Sequence, residues 1–122
     1  MKAKILLVDD SGMARRTIRQ ILEAAGYEVV EAEDGMAALE RYFLERPDLV
    51  LLDLVMKGMM GLDVLEKLHE LDPEVRAIVV SADIQDSSRE LAVAGGARSF
   101  LNKPVDRARL LLAVAGVLEA SA

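Results

Sequence analysis

Four short, mostly apolar runs of this sequence are each followed or closed by a side chain able to hold a cation or a phosphoryl group. Asp9 and Asp10 follow ILLV, Asp53 follows LVLL, Ser81 follows AIVV, and Lys103-Pro104 follows SFLN. Two carboxylates ~4 Å apart at an effective dielectric of ~20 repel by about 4 kcal/mol, so an acidic cluster needs a cation. Lys103 offers one charge. Hard oxygen ligands with an open face suit Mg²⁺, which keeps several waters and binds through one or two carboxylates plus a phosphate. A carboxylate beside such a metal can also act as a nucleophile toward phosphorus. Asp53, standing alone after a buried run, is the candidate nucleophile, and the adjacent Asp9 and Asp10 suit a metal held from one edge. Ser81 and Lys103 would then contact the phosphoryl oxygens, the ammonium as a point charge. Singly, each has a plainer role: an Asp pair or a serine caps helices, and a lysine decorates a surface. Their shared position after strands outweighs this, because ligands of open parallel sheets bind outside the carboxyl ends of the strands.

The elements needed to bring these residues together are readable from periodicity. Aliphatic runs at Ile5–Val8, Val29–Val30, Leu49–Leu52, Ala77–Val80 and Ser99–Leu101 read as strands. Between them apolar residues recur every three or four positions, as at Ala14, Ile18, Ile21, Leu22 and Ala25, or Leu62, Leu65, Leu68 and Leu71, the spacing of helices. Ser11 can cap the first helix and Gly26 can end it, Pro47 and Pro73 follow two others, and Gly95-Gly96 closes the fourth. Strands and helices alternating in this way are βαβ units, and nearly continuous apolar strands mean a parallel sheet covered on both faces. The expected fold class is therefore α/β, a three-layer sandwich around a five-stranded parallel sheet.

Composition narrows the function. A chain of 122 residues fits one domain and leaves no room for a second. With 15 Lys plus Arg against 21 Asp plus Glu the net charge is −6, the wrong sign for binding nucleic acid or an anionic membrane directly. The absence of Cys excludes thiolate zinc sites and thiol catalysis. No run approaches the ~20 apolar residues of a membrane span, and the N-terminal run is too short for a signal peptide, so a cytoplasmic protein is expected. The single His69 reads as solvated on the third helix, and Arg15, Arg16 and Arg19 as an exposed face of the first.

The blocks ILLVDDSGMARR, LVLLDLVMKGMMG, IVVSAD and GGARSFLNKP resemble the motif blocks of bacterial response-regulator receiver domains of the stand-alone, CheY-like kind, and the resemblance spans the chain. It implies the flavodoxin/CheY-like strand order 2-1-3-4-5 and one receiver domain over residues 1–122. It further implies that Asp53 accepts a phosphoryl group from a histidine kinase or a histidine phosphotransfer protein. Asp10, Asp53 and the backbone carbonyl of Val55 would bind Mg²⁺, with Asp9 assisting through the metal's water shell. Ser81 and Lys103 would take phosphate oxygens, Ser81 would move inward on phosphorylation, and Phe100 would turn from exposed to buried. The output surface would be the helix 4–strand 5–helix 5 face, and Lys103-Pro104 would be cis. Chemotaxis is the expected pathway, with a phosphorelay intermediate as the alternative.

The sequence departs from the pattern at Lys57 and Met60, where a Pro and an Asp are usual, and Lys57 could bring a cation to the acidic rim. Val55 and Asp83, two residues after Asp53 and Ser81, occupy positions that tune phosphate lifetime in this family, in opposing directions here. In the last helix no charge falls between Arg109 and Glu119. A helical wheel puts Leu111, Val114, Ala115 and Leu118 on the sheet, leaving Leu110, Leu112, Ala113, Gly116 and Val117 as a docking or homodimer surface. Two rival functions fit less well. A haloacid-dehalogenase-like phosphohydrolase needs its first-strand acids at alternating positions and a cap insertion. A flavodoxin-like cofactor carrier needs a phosphate-cradling first loop, which Asp9 and Asp10 would repel.

Overall fold

Residues of opposite parity along each strand face different helices, and that alternation organises the whole molecule. The computed structural model describes residues 2–56, 58–82 and 86–120. Five strands, β1 (Lys4–Val8), β2 (Glu28–Ala32), β3 (Leu49–Asp53), β4 (Ala77–Ser81) and β5 (Ser99–Asn102), alternate with helices α1 (Gly12–Ala24), α2 (Gly35–Glu45), α3 (Gly61–Leu71), α4 (Asp86–Ala94) and α5 (Arg107–Ala120). The strands pair in parallel in the order β2-β1-β3-β4-β5, the expected architecture. Leu6, Val8, Val50, Leu52, Ala77 and Val79 pack with Ala38, Val64, Leu65, Leu68 and Ala92 of α2, α3 and α4. Their neighbours Ile5, Leu7, Leu49, Leu51, Ile78 and Val80 pack with Ile18 and Leu22 of α1 and Leu110, Val114 and Val117 of α5. β1, β3 and β4 are apolar at consecutive positions because both faces are covered.

The boundaries follow local chemistry. Ser11 accepts a hydrogen bond from the Ala14 N–H and starts α1, and Gly26, at φ 97°, turns the chain out of it. Asp34 caps α2 through the Ala37 N–H at 2.8 Å. Among the described residues no helix is long and apolar enough to cross a membrane.

Several expectations change in phase or environment. α5 buries Leu110, Val114 and Val117, with Leu111, Ala115 and Leu118 only partly covered and Leu112 and Gly116 turned outward. The wheel misplaces this helix because apolar residues surround it, so the sequence holds almost no phase information. Asp106 starts the helix, capping the Arg109 N–H at 3.1 Å and accepting the Leu110 N–H on its carbonyl, and packing against the sheet settles which face is buried. In α3 the buried stripe is Gly61, Val64, Leu65 and Leu68, and Leu71 is exposed. His69 is only partly exposed: its ring lies against Gly96, where a Cβ would collide with it, and its buried Nε2 has no hydrogen-bond partner among the described residues. Arg15 and Arg19 are not a free face either, since both pair with Glu31 of β2.

Candidate functional site

The strand register brings the chemistry to one rim. Val8 is level with Leu52, Asp53 with Val80, and Ser81 with Asn102, so Asp9, Asp53, Ser81 and Lys103 leave adjacent strands at their carboxyl ends. β1 and β3 flank the point where the strand order reverses, the crevice where such sheets bind ligands. There the carboxylate oxygens of Asp9, Asp10 and Asp53 come within 4.8 Å of one another. Asp9 and Asp53 are buried and Asp10 is exposed, so the cluster has a solvent-facing side.

Lys103 bridges the two buried acids. Its Nζ donates to Asp9 Oδ2 at 2.7 Å and to Asp53 Oδ2 at 3.1 Å. The other Asp9 oxygen accepts the Ser11 N–H at 2.9 Å, and the other Asp53 oxygen accepts the Val55 N–H at 3.2 Å. Each carboxylate is thus oriented by a backbone amide and a shared ammonium. Burial pushes the Asp53 carboxyl above its ordinary value and the charge of Asp9 adds to this, while Lys103 and the Val55 amide pull the other way. Burial by itself would lower Lys103, but its bond to Asp9 and the charges of Asp53 and Asp9 hold the ammonium above its usual range. Lys103 therefore stays charged at neutral pH.

The remaining predicted residues sit close by. Ser81 is fully buried at the end of β4, and its carbonyl accepts the Lys103 N–H at 2.8 Å, tying β4 to the lysine's backbone. The Lys103-Pro104 peptide is cis. Phe100 is half-buried against the core, with the Arg89 guanidinium 5.9 Å from its ring centroid. The Val55 side chain is exposed. Met56 is buried, Met59 partly so, and Met60 exposed, which places the first two as packing residues. Lys57 and Asp83 lie outside the described residues.

Two supports are not evident from motif spacing. Gly61 opens α3 directly over the end of β3: its N–H donates to the Leu54 carbonyl at 2.9 Å, and a Cβ there would press into the Asp53 carbonyl and lie 2.6 Å from Leu54 Cα. Only glycine lets the helix start so close to Asp53. Arg15 donates from Nη1 to the Asp9 carbonyl and from Nε to Glu31 at 3.0 Å. Its place one helical turn after the Ser11 cap was the available signal, because that turn faces the end of β1.

The donor set passes the test for a hard divalent cation: three carboxylates converge, one exposed, and the lysine neutralises only part of their charge. Known proteins agree with this geometry. The profile of the response regulator receiver domain family matches residues 5–115. The chain is 40% identical over 115 residues to the chemotaxis protein CheY of Bacillus subtilis, covering 93% of this chain and 96% of that one. It is 36% identical over 110 residues to the sporulation initiation phosphotransferase F of the same organism, covering 87% and 86%. Among solved structures, a CheY-like receiver domain protein of Methanospirillum hungatei superposes with TM-score 0.93 at 31% identity, over 98% of this chain and 96% of that one. The CheX–CheY–BeF₃–Mg²⁺ complex of Borrelia burgdorferi gives 0.91 at 32% identity, over 94% and 88%. The chain belongs to the response regulator receiver domain family, whose CheY-like members are phosphorylation-dependent signalling proteins and not conventional enzymes.

Proposed function

We propose that this chain works as a response-regulator receiver that takes a phosphoryl group onto Asp53 from a phosphohistidine of a sensor histidine kinase or histidine phosphotransfer protein. The observation that carries the reading is the convergence of Asp9, Asp10 and Asp53 on Lys103 at the carboxyl end of the sheet. An Asp53 carboxylate oxygen attacks phosphorus as the P–N bond to the donor imidazole breaks, and the imidazole leaves with the bonding pair. Lys103 then faces a phosphoryl oxygen in place of part of its present contacts, and the Ser81 hydroxyl takes another. Asp10, Asp53 and the Val55 carbonyl would hold Mg²⁺, with Asp9 acting through its waters. The metal supplies charge neutralisation for the oxygens in transfer. The Borrelia relative, with BeF₃ and Mg²⁺ in its complex, supports this chemistry.

The output would run through Ser81 and Phe100 to the α4–β5–α5 face. Ser81 is buried beside the acids, and Phe100 is half-covered one strand away, so a shift of the first changes the space offered to the second. A downstream protein would bind that face, and a homodimer through it is the competing use. Several relatives are chemotaxis proteins, which favours that pathway. The likeness to a sporulation phosphotransferase favours a phosphorelay intermediate as the second reading.

The test is mass spectrometry after incubation with a small phosphodonor and Mg²⁺. Wild type should gain one phosphoryl group, lost in Asp53→Asn and on chelation. Labelling of Asp53→Asn at the wild-type rate would end the proposal. Pull-down with and without BeF₃ then separates a terminal target from a histidine phosphotransfer partner.

A further inference from the structure

We propose that Arg15 is a positioning residue for the cation-binding acids: held by Glu31 of β2, its guanidinium fixes the Asp9–Asp10 peptide and so the direction in which Asp10 presents its carboxylate. The inference rests on the metal-site reading above and assigns a role to a residue outside the acidic cluster.

The Arg15 guanidinium is used at two edges. Nη1 donates to the Asp9 carbonyl, and Nε donates to Glu31 Oε1 at 3.0 Å. The Arg15 side chain is mostly buried, at 17% exposure, so this arrangement is shielded from water. Glu31 is itself anchored: its second oxygen accepts from Arg19 Nη1, and Arg19 Nε pairs with Glu23 at 3.2 Å. The bond from Arg19, aided by Arg15, holds the Glu31 carboxyl below its ordinary value, so the anchor stays ionised at neutral pH.

The peptide is planar, so a fixed Asp9 carbonyl also fixes the Asp10 N–H and restricts the torsions that aim the Asp10 side chain. Asp9 is already held by Ser11 and Lys103. Asp10 is exposed and lies two residues beyond the end of β1, so the Asp9–Asp10 peptide sets the direction from which its side chain departs. The network has two guanidiniums, Arg15 and Arg19, and two carboxylates, Glu31 and Glu23, and its net charge is zero. Arg15 therefore acts on the acids mainly through geometry. A lysine could not reproduce it, because a single ammonium lacks the planar fork that reaches carbonyl and carboxylate together. Arg16, next in sequence, is exposed, and among the described residues its side chain has no hydrogen bond or ion pair. It serves as an equal-charge control.

The experiment is a Mg²⁺ titration of the full chain by calorimetry, with amide NMR, on wild type, Arg15→Met, Arg15→Lys and Arg16→Met. Loss of a ligand's outer support weakens metal binding by about 10-fold, and that is the change expected for Arg15→Met. Arg15→Lys should be weakened by a smaller factor, Arg16→Met should stay within about 2-fold, and the Asp10 amide should shift in both Arg15 variants. The signs separate the causes. Removing a nearby positive charge would by electrostatics alone tighten cation binding, and a lysine would leave it unchanged. Phosphodonor labelling should recover its wild-type rate at saturating Mg²⁺. Should Arg15→Met fold poorly, Arg15→Lys carries the decision. Unchanged or tighter binding in the Arg15 variants that fold overturns the proposal and leaves the site intact. A wild type that binds no Mg²⁺ overturns the site reading, and this inference with it.

Discussion

Tyr42 of α2 and Asp72, at the end of α3, are joined by a hydrogen bond from the phenol to Asp72 Oδ2 at 2.6 Å. Asp72 also accepts the Glu74 N–H at 3.0 Å, so its carboxylate closes the turn after α3 as well. The Tyr42 bond, with the amide's help, lowers the Asp72 carboxyl below its ordinary value. A group depressed in the folded state adds stability above its unfolded value, here 3.8, and loses it as pH falls through the folded one. Tyr42→Phe should therefore cost about 1 kcal/mol near neutral pH, a typical net hydrogen-bond contribution. Urea denaturation should show that difference shrinking as the pH falls below 3.8 toward the folded value. A constant difference down to pH 2 would assign the loss to packing of the phenol instead.

At the scale of elements, α3 and α5 show how differently a helix is specified. α3 is pinned at its first residue, because Gly61 packs over the Asp53 carbonyl where a side chain has no room. Gly61→Ala should destabilise by roughly 2–4 kcal/mol, the range of strong overpacking. It should also slow phosphodonor labelling, since the strand end carrying Asp53 must shift; denaturation and labelling rate read the two effects. α5 is specified by its docking. Leu110 is fully buried and Leu112 is 76% exposed, although the sequence reads LLL. Leu110→Ala should cost about 2–5 kcal/mol and Leu112→Ala less than about 0.5 kcal/mol. Small costs at both positions, with the large one at Leu111→Ala, would restore the phase that the helical wheel suggests.

For the molecule as a whole, the site is a charge problem solved by topology. Lys103 meets acids 94 and 50 residues earlier in the chain, and without it two buried carboxylates would face each other uncompensated. Lys103→Met should lower stability by on the order of 3 kcal/mol in metal-free buffer. Mg²⁺ should recover much of this: at a concentration of 100 times Kd a ligand adds about 2.7 kcal/mol, or roughly 10 °C in Tm for a domain of this size. Differential scanning calorimetry with Mg²⁺ and with a chelator measures both terms. A variant as stable as wild type in the chelator would mean that the lysine does not offset the acids.

Most of the architecture and the acidic rim could be read from the chain because each leaves a local trace. Strands covered on both faces are continuous apolar runs, helices carry a 3.6-residue period, and the residues after parallel strands fall on one edge by geometry. Thus Asp9, Asp10, Asp53, Ser81 and Lys103 could be proposed from their positions alone. What the folded chain decided were relations between distant segments with no local signature. The phase of α5, the His69 ring against Gly96, and the Arg15–Glu31 clamp behind Asp9 all depend on how close two elements come. Periodicity reports which side of an element is apolar. It does not report what stands opposite, and packing and ion pairing are settled by that.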